Sequence, residues 1–266
     1  MKSRIFVALL GIPLLIYVVL AASASAITAF LAVLAAIGAA ELMKCTAMNQ
    51  RTNFLTIWTM ISSAISVCCY YKCTDLIPLC GLLYILITFL YAMIRAGKVK
   101  FIQIAAGIFS VILIPYALSS FIRMEMAHLH RAYLLLPFVL SFSSDTFAYF
   151  VGCLFGKHKL APKVSPKKTI EGAFGGILGN ILCGFLFAFL LDRYFGEYIR
   201  YDIMAILALL CGIVAQVGDL SFSLIKREFA IKDYGKLFLE HGGVLDRFDS
   251  VIFVAPVLEI ILKFVK

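Results

Sequence analysis

Residues 241–249 read "HGGVLDRFD": two carboxylates three positions apart, an arginine, a histidine and a glycine pair, directly before an apolar run. On a helix Asp246 and Asp249 would point the same way. Gly242 and Gly243 let the backbone turn tightly ahead of them. Taken alone, such a pair reads as a solvated helix start. Two more acids change its meaning. Asp145 lies inside the apolar run "SFSSDTFAYFVGCLFG", and Asp219 lies in "AQVGDLSFSLIKRE". A carboxylate within such a run costs several kcal/mol unless it is partnered or hydrated, so it marks a functional site by default. Asp145, Asp219, Asp246 and Asp249 thus come from three segments. Convergent carboxylates suit a hard, oxygen-seeking cation, and Mg²⁺ is the ion expected.

Cations accompany the acids. Asp219, Ser223 and Lys226 stand one above another on one helical face, and Arg227 follows. The stretch "GKHKLAPKVSPKKTIEG" (156–172) supplies Lys157, Lys159, Lys163, Lys167 and Lys168. Thr169 can cap the helix that follows, with Glu171 in its first turn. "GCLFGKHK" fails as a P-loop, because its glycine spacing is one short and His158 stands where Ser or Thr belongs. Carboxylates for a divalent cation beside lysines and arginines for phosphates describe phosphoryl or nucleotidyl transfer.

The elements that position these groups are membrane helices. The chain has 266 residues, 63% hydrophobic and 15% charged, far from the soluble norm. Its apolar stretches can each cross about 30 Å of hydrocarbon. Nine spans are expected, near 4–22, 25–43, 53–71, 75–95, 101–122, 132–152, 172–191, 203–224 and 250–265. The fold class is therefore all-α, a polytopic helical bundle, because lipid-exposed backbone must pair internally. The first span is read as a retained anchor rather than a cleaved leader. With the N-terminus inside, 17 of the 24 Lys and Arg fall on the inner side. Both rich loops, 153–171 and 225–249, then face the cytoplasm. Glu41 and Lys44, at a span end, are explained by snorkelling.

Chemistry is concentrated in the second half, so residues 1–131 form an N-terminal set of about five spans and 132–266 a catalytic half. Gly172, Gly175, Gly176 and Gly179 favour close helix approach. The eight cysteines form no CxxC pair and read as small buried hydrophobes. No aromatic–basic interleaving points to nucleic acid.

Residues 223–249, "SLIKREFAIKDYGKLFLEHGGVLDRFD", resemble the signature of the phosphatidate cytidylyltransferases, or CDP-diacylglycerol synthases. All 27 positions keep the family spacing without a gap. Leu239 departs, standing where the family has Pro or Gly. "DTFAYFVG" and "KVSPKKTIEGAFGG" resemble the same family, so the likeness covers about residues 140–256. It implies transfer of the cytidylyl group of CTP to phosphatidic acid, giving CDP-diacylglycerol and pyrophosphate with Mg²⁺. Lys226, Arg227, Asp246, Arg247 and Asp249 would be catalytic. Asp219, Asp246 and Asp249 would hold the metal, with Asp145 a further ligand or a partner for a second cation. Ser165, Lys167, Lys168, Ser223, Lys232, Asp233, His241, Gly242 and Gly243 would bind substrate, His241 as a hydrogen-bond donor. The implied setting is a bacterial-type inner membrane with a cytoplasmic site, and a homodimer is compatible with it.

Two rivals stay open. A CTP-dependent polyprenol or lipid kinase would give a phospholipid and CDP. A transporter would also use broken glycine-rich spans with buried acids, but no pair of corresponding halves is visible.

Overall fold

A computed structural model of the chain describes residues 13, 16–46, 53–127, 129–237 and 242–265. Eight long helices follow one another: α1 (Ala24–Thr46), α2 (Asn53–Lys72), α3 (Ile77–Ile94), α4 (Phe101–Met126), α5 (Leu136–Phe155), α6 (Ile170–Phe195), α7 (Tyr201–Glu228) and α8 (Leu245–Val265). Short 3₁₀ turns, Thr74–Leu76 and Arg131–Leu135, lead into α3 and α5. Prolines in the first turns of α3 and α5 lose no helical hydrogen bond there. Among the described residues, seven helical segments are long and apolar enough to cross a membrane. The expected first span lies largely outside the described residues. The expected ninth is helical as α8 but is not among the seven, since Asp249, Glu259 and Lys263 interrupt its apolar run.

The sequence reading allowed helices only. The structure adds a two-stranded antiparallel hairpin in the basic loop, β1 (Lys159–Ala161) with β2 (Ser165–Thr169). It lacks the apolar alternation that identifies a half-buried strand, because its side chains are mostly Lys, Ser and Pro. Pro166 fits within β2 because that strand is an edge. The Ile170 N–H donates to the His158 carbonyl at 2.9 Å and carries the pairing to the first residue of α6.

The chain divides into two compact units that do not follow a cut at residue 131. One is Met1–Arg123 with Glu228–Arg247, and the other is Met124–Arg227 with Phe248–Lys266. In the first unit α1 packs most extensively against α2. The buried Tyr84 hydroxyl lies 2.8 Å from Thr59 Oγ1, and the absence of a side chain at Gly107 leaves it room. The Arg123 guanidinium sits over the rings of Tyr70 and Tyr116, at 4.9 and 4.6 Å.

In the second unit α5 and α6 form the closest pair, and the glycines explain it. A Cβ on Gly172 would lie 2.7 Å from the Ala148 carbonyl oxygen, and one on Gly176 would lie 2.8 Å from that of Ser144. At Gly175 and Gly179 it would run into the side chains of Val151 and Phe147. The packing expected of these glycines is therefore what they do. Their common effect is to lay the start of α6 along the Asp145 face of α5. Gly175→Ala is expected to destabilise the protein by about 1–3 kcal/mol through overpacking. Gly81→Ala, whose Cβ meets nothing within 4 Å, should change stability by no more than about 0.5 kcal/mol. Thermal unfolding in detergent compares them, and equal midpoints would remove the packing role.

Contacts between span ends join groups that the charge count places on one side of the membrane. Arg123 meets Tyr70, and the His130 ring lies 5.1 Å from that of Phe195. All four fall at span ends assigned outside. Arg227 Nε donates to the Val164 carbonyl at 3.1 Å, both from loops assigned inside.

Candidate active site

Most of the candidate residues gather in the second unit. The start of α6 is fixed from two directions. Thr169 Oγ1 accepts the Gly172 N–H at 3.1 Å, the cap expected from the sequence. Glu171 reaches back to accept the N–H groups of Lys157 and His158 at 3.1 and 3.2 Å, and the His158 ring at 2.6 Å. The hairpin is thereby held over the α5–α6 contact with Lys167 and Lys168 on its second strand.

Beneath it lies a cavity of about 510 Å³, lined by Asp145 and Tyr149 of α5, Lys159, Lys167 and Lys168 of the hairpin, and Gln216 and Asp219 of α7. Residues as far apart in sequence as Asp145 and Asp219 meet there, three cations facing two carboxylates. The Lys168 ammonium pairs with the Asp219 carboxylate, each side chain about a quarter exposed. Ser223 donates to the other Asp219 oxygen at 3.2 Å, so the one-turn spacing read from sequence is used.

Asp249 joins this group electrostatically. It is 9% exposed and lies within range of Asp219, Asp145 and Lys226. Its Oδ1 accepts the Ser250 N–H at 2.7 Å, and the Ser250 hydroxyl lies 3.3 Å from that oxygen and 3.5 Å from Asp145 Oδ2. One hydroxyl thus touches two carboxylates. Three acids near one another in a low-dielectric setting repel strongly, and Lys168 and Lys226 offset part of that repulsion.

Does this arrangement fit Mg²⁺? The donors are carboxylate oxygens, the right chemistry. Among the described residues no three His, Cys, Asp or Glu side chains close tightly enough to enclose an ion. Mg²⁺ rarely needs such a cage. It takes one or two carboxylates and completes its shell with water and substrate phosphate oxygens. Asp145, Asp219 and Asp249 fit on those terms.

The remaining candidates lie in the first unit or at the edges. Ser165 is half-buried at the start of β2 and Arg227 is exposed at the end of α7. Lys232, Asp233 and Arg247 are exposed. Asp246 is committed locally: its Oδ2 accepts the Tyr234 N–H at 2.7 Å and the Gly243 N–H at 2.9 Å. Gly242 has φ +81°, and a Cβ there would lie 2.6 Å from Asp246 Oδ2, so glycine is required twice over. His241 and Leu239 lie outside the described residues.

Two residues escaped the sequence reading. Gln216 donates from Nε2 to the Ala173 carbonyl at 2.9 Å and lines the cavity. A glutamine one turn before Asp219 inside an apolar span was the available signal. Glu41 is the second. It does not snorkel. It is 6% exposed and accepts the Val244 and Leu245 N–H groups at 3.0 and 2.9 Å. Its position near a span end concealed a partner some 200 residues away.

The sequence matches the model of the Cytidylyltransferase family over residues 2–265. Similar proteins named phosphatidate cytidylyltransferase occur in Staphylococcus aureus strain COL at 31% identity, Staphylococcus haemolyticus strain JCSC1435 at 30% and Staphylococcus epidermidis strain ATCC 12228 at 32%. In each case the match runs over 172 residues, 65% of this chain and 64% of the relative.

Proposed function

Since the chain belongs to the cytidylyltransferase family, we propose that it transfers the cytidylyl group of CTP to phosphatidic acid, releasing pyrophosphate. The observation that carries this reading is the cavity in which Lys159, Lys167 and Lys168 face Asp145 and Asp219. A site for two phosphate-bearing substrates needs both signs of charge: cations for the phosphates, and carboxylates for the ion that accompanies a nucleotide. Its residues come from segments assigned to the inner ends of the spans, where a cytosolic nucleotide and a lipid headgroup can meet.

An oxygen of the phosphatidate phosphate attacks the α-phosphorus of CTP. The α–β bridging P–O bond breaks and its electron pair leaves with pyrophosphate. The nucleophile is already ionised at neutral pH, so no side chain need remove a proton. Lys167 and Lys168, with Ser165 at the head of the same strand, bind phosphate oxygens and bring the two anions together. Lys226 and Arg227 neutralise charge that grows on the phosphates as the bond breaks. Asp219 and Asp249, with Asp145, would hold Mg²⁺, which would supply positive charge to the phosphates and to the departing pyrophosphate. Asp246 holds the loop before α8.

The test uses membrane vesicles. Inside-out vesicles given CTP, Mg²⁺ and phosphatidic acid should release pyrophosphate and form a CMP-containing lipid. Right-side-out vesicles should not. CDP with a new phospholipid would establish the kinase instead. Activity in right-side-out vesicles alone would reverse the orientation.

A further inference from the structure

In the first unit, a carboxylate from the N-terminal helices is built into the signature loop. We propose that Glu41 is a positioning residue for the reaction, holding the turn 242–245 and the first turn of α8 in place. This inference rests on the reading of the protein as a cytidylyltransferase acting on phosphatidate.

Glu41 lies near the end of α1 and is buried. Each of its oxygens takes one backbone N–H: Oε1 that of Val244, Oε2 that of Leu245. These are donors at the very start of α8, where no intrahelical carbonyl can reach them. A carboxylate there also faces the positive end of the helix. Glu41 therefore acts as an N-terminal cap supplied from a distant segment.

The surrounding glycines are shaped to it. A Cβ on Gly243 would fall into the Glu41 carboxylate, whose atoms are its three nearest neighbours, and a Cβ on Gly235 would meet the same group. Neither glycine has a positive φ, so backbone conformation does not demand glycine at either position. Space for Glu41 does. A Cβ on Gly38, one turn earlier on α1, would lie 3.2 Å from Leu245 Cδ2, so the two helices approach closely at this point. Gly235 of "KDYG" and the second glycine of "HGG", Gly243, thus make room for a side chain outside the signature. What Glu41 fixes is the start of the helix that carries Asp246 and Arg247. Asp246 takes the neighbouring N–H groups of Gly243 and Tyr234 and lies within electrostatic range of Glu41. Two carboxylates share the donors of one turn, and moving either releases the other's hold.

The test uses the full chain in vesicles with CTP, Mg²⁺ and phosphatidic acid. Glu41→Gln keeps one acceptor but turns an NH₂ toward the second N–H, so kcat should fall about 10–100-fold, as for other groups that orient active-site ligands. The KM for CTP should stay within about threefold, because the loss lies in orientation rather than binding. Gly243→Ala should cost a similar factor in the wild-type background. Adding it to Glu41→Ala, where the carboxylate is gone, should cost less than about twofold. A general loss of fold would not produce that cancellation. Equal costs of Gly243→Ala in both backgrounds, or wild-type kcat in Glu41→Gln, would overturn the proposal. If wild-type protein releases no pyrophosphate, the functional reading fails on its own. Amide exchange then decides the Glu41 contact: Glu41→Gln should speed exchange at 242–245 selectively, and unchanged exchange there would overturn it.

Discussion

Asp249→Asn should lower pyrophosphate release by at least about 100-fold, the scale seen when one charged or donor group is removed from a transition-state site. It should also raise the Mg²⁺ concentration needed for half-maximal rate. Asn keeps the side-chain shape, and its carbonyl oxygen can still accept the Ser250 N–H now held at 2.7 Å, so that contact survives. What disappears is a buried negative charge beside those of Asp219 and Asp145. The same crowding gives a second outcome of opposite sign. Without divalent cation, three neighbouring carboxylates oppose folding, and neutralising the most buried one relieves that repulsion. The metal-free thermal midpoint of Asp249→Asn should therefore equal or exceed that of the wild type while activity collapses, as expected where a site holds destabilising charge for function. Asp75→Asn and Asp192→Asn alter exposed acids and should stay within about twofold of wild type, in line with small surface effects. A Mg²⁺ titration of rate with melting curves of all three proteins checks both signs. Wild-type rate and Mg²⁺ dependence in Asp249→Asn would take this residue out of the metal site.

How far the sequence reaches can be argued from the same residues. The grouping of Asp145 and Asp219 was legible, because a carboxylate in an apolar helix must find a partner and the basic loop was the evident source. So were the Thr169 cap and the α5–α6 packing, since spacing along one helix determines both. Two things were not. The hairpin carries no apolar alternation; its pairing shows only in three dimensions, where Glu171 ties back to Lys157 and His158. Glu41 sits three residues before Lys44 near the end of α1 and looks like any snorkelling side chain; its worth depends on donors more than 200 positions away. Local pattern cannot reveal a partner that distant. The glycines of the signature were visible, but their reason was not: a tight turn was expected at both, while only Gly242 has the positive φ that a turn would require. Asp246 and Asp249, equivalent by helical spacing, hold different partners because one of them closes the preceding loop.

Lys168→Met should separate two quantities that usually move together. In this structure the Lys168 ammonium is paired with the Asp219 carboxylate, an oxygen donor that Mg²⁺ would also use. While the pair stands, a cation at Asp219 must compete with the lysine. Removing the lysine frees the carboxylate, so the Mg²⁺ concentration for half-maximal rate should fall. The rate itself should also fall, by about 100-fold or more, because a charge-assisted contact to a phosphate is lost at the stage where charge is developing. Lys168 would then serve two anions in turn: Asp219 before substrate arrives and a phosphate bound in the same cavity afterwards. Lys163→Met is the control, an exposed lysine on the hairpin turn, and should change neither quantity by more than about twofold, as surface substitutions do. The measurement is initial rate against Mg²⁺ at saturating CTP for the three proteins. A lower rate with a higher Mg²⁺ requirement would mean that Lys168 helps assemble the metal site rather than guarding it, and the exchange of partners at Asp219 would have to be abandoned.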